Sequence, residues 1–402
     1  MSTSIVVTGA GVLSSIGAGV AEFEKALYAG KSGVGPSQLL DGRAIAAEVR
    51  DFSPQHWLGN KGIRVLDRTA RLLCVAAHLA LCEAGFARSD STDGDPELGL
   101  VCGTMFGSVH SIASFDWGGL VDGPNYVNPM DFPNTVINSA AGQAAIKFKL
   151  GGINSTICGG LASGLYALHY AAEFLRLGRA RTLLAGGAEE FSEESFLGFQ
   201  KTGILSPSGL PRPFGADRDG LILGEGSALL VLESEETARA RGTKPWVEVS
   251  GFGCAQDAHS TREYQVRAEG ATSAIQMALE SAGTGPDAVA CIISGASGSR
   301  TGDEMEARAL RNVFGPRLAE IPACAPKAAL GECLGVSGAM GALVGALALV
   351  QQCVPPTAHL QEAADGIRLA NQSQGIQGEF ALVNAFGCDG NNAAMVLRRW
   401  IE

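Results

Sequence analysis

The chain has few aromatic residues: Phe, Trp and Tyr make up 6% of its 402 residues. A core with so few rings must rest on aliphatic side chains. Charge is also thin, at 18% against 46% hydrophobic residues, so there is ample material for a large interior. Basic residues are outnumbered 30 to 41, which leaves a net charge of −11. An acidic body repels phosphate backbones and anionic lipid, so neither nucleic acid nor a membrane is an expected partner. The ten cysteines form no C-x-x-C pair and most lie in apolar runs, the pattern of buried, reduced thiols in a cytoplasmic protein. No metal and no cofactor are expected. Residues 5–7 are too short an apolar run for a secretory leader, and residues 339–350 are short and glycine-interrupted, so no membrane span is expected.

Glycine, by contrast, is plentiful at 54 residues, scattered as tight strand–helix turns require. Strand-like runs at 4–8, 98–101 and 182–185 alternate with helical patterns at 21–28, 67–84 and 138–148. Residues 9–11 read as a turn and 201–221 as a proline-rich loop. The second half repeats the grammar, with strands at 246–252 and 291–294 and helices at 264–282, 303–313 and 337–352. Runs at 381–384 and 393–397 suit a closing hairpin. The alternation predicts α/β layers. Two halves, 1–245 and 246–402, share one core, since no low-complexity linker divides them.

The segment Ile157-Cys158-Gly159-Gly160-Leu161-Ala162-Ser163-Gly164 reads as strand, glycine turn and helix start, followed by an amphipathic run over 165–177. A side chain at such a turn faces a cleft beside backbone N–H groups and a helix N-terminus, which favours a thiolate. Leu161 offers no thiol there. Asp217-x-Asp219-Gly220 faintly suggests a calcium loop, but Ala228 stands where the closing Glu belongs, so the expectation is a loop tied down by its carboxylates and Arg218.

Several motifs in order resemble the β-ketoacyl synthases of fatty-acid and polyketide assembly. They are Val6-Val7-Thr8-Gly9-Ala10-Gly11, Asp217-Arg218-Asp219-Gly220 with Leu223-Gly224-Glu225-Gly226, Thr301-Gly302-Asp303-x-x-Glu306, Pro326-Lys327 leading to Gly331, and Asn384-Ala385-Phe386-Gly387. The resemblance spans nearly the whole chain. It implies a thiolase-like five-layer α-β-α-β-α sandwich with internal duplication. It also implies a reaction needing a cysteine nucleophile, two histidines and an oxyanion loop. Carried onto this chain, the cysteine position falls on Leu161 and the two histidine positions on Gly295 and Glu332, with the family lysine at Lys327. The oxyanion loop reads Gly387-Cys388-Asp389-Gly390, and Asp389 sets a negative charge where an oxyanion should be held.

Among such proteins the chain is similar to the chain-length factors of type II polyketide synthases, which lack the active cysteine. Many of those in aromatic polyketide systems carry glutamine there, and this chain has leucine instead, with the product class, aromatic polyketide or reduced polyene, left open. The resemblance implies a heterodimer with a catalytic ketosynthase, and an acyl carrier protein reached only through that partner. It implies tunnel residues Phe106, Val109, Ile112, Phe115, Asp116 and Pro133, and a subunit contact at Met130, Asp131 and Phe132. The competing expectation is a divergent acyltransferase or malonyl decarboxylase using Cys158 or Glu332, with His110, His169 or His259 as base. Against it, Glu332 and Lys327 are most simply an ion pair, and burial would raise the Cys158 pKa.

Overall fold

The computed structural model describes residues 3–86, 95–360 and 366–401. In the first half, β1 (Ile5–Ser14), β2 (Leu98–Gly103), β3 (Asn154–Ile157), β4 (Thr182–Glu189) and β5 (Gly226–Ser234) lie in the order β3-β2-β4-β5-β1. In the second, β6 (Val247–Gln256), β7 (Val289–Ile293), β8 (Ala323–Cys324), β9 (Phe380–Phe386) and β10 (Asn391–Arg399) lie in the order β8-β7-β9-β10-β6. Numbered by position in each half, both orders are the same, third, second, fourth, fifth, first. The pairing senses match too: the first three neighbours are parallel and the last two pairs antiparallel. This is a duplicated fold, and the halves meet where Val6 and Val7 of β1 pair Glu248 and Val247 of β6.

Helices complete the layers. On the outer face of the first half lie α1 (Arg68–Glu83), which starts on Asp67, whose carboxylate accepts from the Ala70 N–H, and α3 (Ser139–Phe148); α2 (Val109–Val121) stands apart from them. Between the halves lie α4 (Ser163–Arg176) and α8 (Ser337–Gln351), apolar apart from its two end residues, each packed on strands of its own half and on the other. Outside the second half lie α6 (Glu269–Ser281) and α7 (Arg300–Phe314). A further helix, α5 (Glu193–Thr202), begins at a Ser192–Ser195 capping box. The result is the five-layer thiolase-like sandwich.

Some local readings differ. Residues 9–11 are not a turn: β1 runs through them with a bulge between Val7 and Gly9. Gly11 serves close approach instead, because a Cβ there would strike the Ala76 carbonyl of α1. Helix α6 starts at Glu269 rather than near 264, because Ala268 sits in the left-handed region at φ 61°. Lys201 and Thr202 finish α5 instead of opening a loop. The stretch Leu334–Gln351 has mean hydropathy 1.7 over 18 residues, long and apolar enough by composition to span a membrane, contrary to expectation. It is 83% buried within the protein, as a core helix between two sheets must be.

Candidate functional site

Strand β3 ends at Ile157, and the chain then makes a short 3₁₀ turn, Gly160–Ala162, into α4. Gly160 adopts φ 58°, the left-handed conformation that favours glycine. The Ser163 hydroxyl fixes the turn, accepting from the Gly159 N–H at 2.9 Å and lying 3.0 Å from the Thr104 carbonyl. Leu161 is seated here and is 5% exposed. It belongs to an apolar cluster with Ala46, Phe191, Leu223 and Leu334, against which Phe106 and Phe199 pack. Fully burying such a side chain is worth roughly 1.5–3 kcal/mol.

The two positions that the resemblance matches to histidines are held in structural contacts. The Gly295 N–H donates to Glu306 Oε1 at 3.1 Å, and the Asn384 amide donates to the same oxygen at 2.9 Å. Asp303 accepts from the N–H groups of Phe214, Ser297 and Gly298. The Thr301-Gly302-Asp303-x-x-Glu306 motif is therefore a clamp on the 295–298 turn. Burial lifts the Asp303 carboxyl to about 7, and Glu306 also rises through burial. Glu332 is buried and pairs with Lys327 Nζ at 2.7 Å. Its other oxygen accepts from the Leu334 N–H at 3.1 Å and the Ser337 hydroxyl at 2.7 Å. The expected ion pair is present.

Asp389 lies against the nucleophile turn: a Cβ on Gly160 would run into its carboxylate. Asn391 holds that carboxylate, donating from its backbone N–H at 3.2 Å and its side-chain amide at 2.8 Å. Neighbouring Cys388 is half-buried, and burial together with Asp389 pushes its thiol pKa up.

The substitute nucleophile and bases do not assemble. Cys158 is exposed rather than buried, with Sγ 3.3 Å from the Met105 carbonyl. Its pKa is nevertheless raised, first by desolvation and then by Glu189. His110 pairs with Glu194 at 3.1 Å on the surface. His169 stacks on Phe252 with ring centroids 4.1 Å apart, and burial lowers its pKa. His259 is exposed. In the 217–220 loop, Asp217 meets Arg212 at 3.0 Å, Asp219 accepts from the Ser206 hydroxyl at 2.6 Å, and Arg218 donates to the Gly215 carbonyl at 3.1 Å. Its carboxylates are engaged in tying the loop.

Beside the Leu161 cluster opens a cavity of about 1010 Å³. Phe106, Val109 and Cys388 line it together with Phe199, Ile204 and Arg262, three residues that sequence reading did not single out. Phe196 and Phe199, three apart after the Ser192 cap, were the available signal for a helix with an aromatic inner face. Ile112 and Phe115 are half-buried, and Asp116 and Pro133 are exposed; none of the four lines that cavity. Phe115 packs on Phe132 at 6.0 Å and, with Asp131, borders a separate surface cavity of about 280 Å³. Met130 (66% exposed), Phe132 (59%) and Asp131 face solvent in the single chain.

Sequence reading also missed Glu189, at the end of β4. It is buried and accepts from the N–H groups of Met105 (2.6 Å), Phe106 (2.9 Å) and Gly335 (3.1 Å) and from the Thr104 hydroxyl (3.2 Å). It grips the segment that carries Phe106 into the cavity. Burial lifts its pKa to about 7 even against four donors, and neighbouring Glu190, accepting from the His110 N–H, also reaches about 7.

The duplicated layers and the turn entering α4 define a thiolase-like fold of the ketosynthase type. The chain belongs to the β-ketoacyl synthase family: residues 2–238 match the model of its N-terminal domain and residues 246–361 that of its C-terminal domain. It is 32% identical to a 3-oxoacyl-(acyl-carrier-protein) synthase 2 of Coxiella burnetii, covering 98% of each chain. Among solved structures it resembles a chain of the ishigamide ketosynthase/chain length factor, with a TM-score of 0.92 at 29% identity over 100% of both chains. It also resembles a chain of AntDE:AntF, a type II PKS acyl-carrier protein in complex with its ketosynthase, with a TM-score of 0.89 at 27% identity over 100% of both.

Proposed function

We propose that this chain is a catalytically inactive ketosynthase-like subunit. It pairs with an active ketosynthase in a type II polyketide synthase and shapes the tunnel that sets polyketide or polyene chain length. One observation carries the reading: the seat of the nucleophile is filled by a buried leucine, Leu161. Gly295 and Glu332 at the histidine positions agree with it, because Gly295 has no side chain to carry a proton and the Glu332 carboxylate is held by Lys327, the Leu334 N–H and the Ser337 hydroxyl. Asp389 beside the turn opposes any developing oxyanion.

The pairing is supported by an apolar surface. Trp117 (68% exposed), Leu120, Tyr126, Met130 and Phe132 stand on α2 and the segment after it, and α2 buries none of its residues in this chain. A patch of this kind marks a protein contact. The kinship with ketosynthase/chain length factor and carrier-protein complexes points to the same class of partner. The net charge of −11 would steer an acidic carrier protein toward the catalytic partner, in the cytoplasm, with no cofactor required.

An enzymatic alternative draws on the names of the curated relatives, which are synthases. It needs Cys158 or Glu332 as the reacting group. The test is to assay malonyl condensation and decarboxylation by the purified chain alone and mixed with a cysteine-bearing ketosynthase subunit. No turnover alone and product on mixing is the expected result. Turnover by the chain alone would overturn the proposal.

A further inference from the structure

A small pit lies at Gly295, the position that the resemblance matches to the first histidine. It holds about 10 Å³, and Ser294, Lys327, Ser337, Gly341 and Asn384 are among its walls. That is room for about one water molecule, and for no ring. Position 295 does not admit a larger residue either, because a Cβ there would meet the Asn384 carbonyl oxygen at 2.9 Å.

Two buried polar side chains on this pit have bonding capacity left over. Asn384 is 3% exposed. Its amide nitrogen donates to Glu306 Oε1 at 2.9 Å, while its Oδ1 is buried with no partner among the described residues. Turning the amide round does not help. The Gly295 N–H donates to the same Glu306 oxygen at 3.1 Å, so that oxygen is an acceptor, and a turned amide would set two acceptors face to face. Lys327 is 7% exposed, and its ammonium carries three N–H groups, of which Glu332 Oε2 takes one at 2.7 Å. Ser337 donates its hydroxyl to Glu332 Oε1 at 2.7 Å, and its oxygen can still accept.

An unmatched acceptor and unused donors around one water-sized space select the occupant. Lys327 repels a cation, and the Asn384 oxygen and Glu332 repel an anion. An apolar group would leave a buried acceptor unsatisfied. Water is small enough, donates and accepts.

We infer that one structural water is bound in this pit, donating to Asn384 Oδ1, accepting from Lys327 Nζ and using Ser337 Oγ as a third partner. It joins the Lys327–Glu332 pair to the Asn384–Glu306 clamp, so two buried acids of the second half are linked through a neutral bridge. The site needs no acyl substrate and stands whether the chain is a partner subunit or an enzyme.

The experiment is a crystal structure of the purified chain. Its density should show a single water peak within about 3.2 Å of both Asn384 Oδ1 and Lys327 Nζ. A crystal soaked in bromide should give no anomalous peak in the pit, and one soaked in imidazole should keep the water peak. Asn384→Leu, which removes the acceptor, should lose the peak, and Asn384→Asp, which keeps one, should retain it. A dry pit, a direct bond from Lys327 Nζ to Asn384 Oδ1, bromide or imidazole in the pit, or an unchanged peak in Asn384→Leu would each overturn the inference. The unsubstituted crystals decide the matter if the leucine variant fails to fold.

Discussion

Glu332 and Lys327 form a buried ion pair, Oε2 to Nζ at 2.7 Å, at the place where the family resemblance puts a catalytic histidine. The second Glu332 oxygen holds the Leu334 N–H and the Ser337 hydroxyl, so this carboxylate fastens the entry of α8 to the lysine turn. In this chain that place is a structural joint.

Breaking that joint from one side should be costly. Glu332→Gln or Lys327→Met strands the other charge in the interior, and each should lose about 3–5 kcal/mol. Replacing both by Leu and Met should recover most of that loss, because an apolar pair needs no desolvation. Urea unfolding of the three variants is the check. A double-variant loss equal to the sum of the two single losses would show that the pair is not coupled.

Leu161→Cys should not create a condensing enzyme. The new thiol would follow Gly160, against which the Asp389 carboxylate lies, with Gly295 and Glu332 in place of imidazoles. Intact-mass analysis after incubation with an acyl thioester should find no adduct at residue 161. Leu161→Ala should destabilise by about 2–4 kcal/mol through cavity formation in its cluster. A readily acylated Leu161→Cys would mean that the altered loop is no obstacle.

Stability should fall as pH rises through neutrality. Glu189 and Glu190 titrate near 7 in the folded chain, above the ordinary glutamate value expected after unfolding. The folded state therefore holds these protons more tightly. The stability they confer is complete below the unfolded pKa and is lost as pH passes the folded one, on the order of 1–3 kcal/mol per group. The Tm should drop between about pH 5 and about pH 8, and Glu190→Gln should flatten the decline. A Tm that rises over that interval would refute the assignment.

How far this site was legible from sequence varied by residue. Leu161 was placed correctly on its turn, because glycines at 159 and 160 and the apolar period after 163 are local signals. The Glu332–Lys327 pair followed from the cost of leaving either charge buried without the other nearby. The cavity wall did not, because Phe106, the 199–204 stretch with Phe199 and Ile204, Arg262 and Cys388 come from four separate parts of the chain, and no spacing along it reports their meeting. Glu189 was missed because an acid that ends an apolar strand looks exposed; its donors come from residues 104–106 and 335, remote in sequence. Gly9 and Gly11 misled for a steric reason, since glycine there admits α1 rather than a turn.

Val109 tests the tunnel most directly. It lines the large cavity, and Ile112, one helical turn on along α2, shares its face. A tryptophan at Val109 would narrow the space without touching Leu161 or the Lys327–Glu332 pair, and one at Ile112, which does not line that cavity, would add bulk on the same helix face. If growing chains extend into this subunit, Val109→Trp and Ile112→Trp should each shorten the product released by the mixed complex, read by mass spectrometry. Both positions are only half-buried, so the variants should fold, and circular dichroism confirms it. Unchanged product length in both folded variants would remove Val109 and Ile112 from the chain-length function and leave α2 as a contact surface alone.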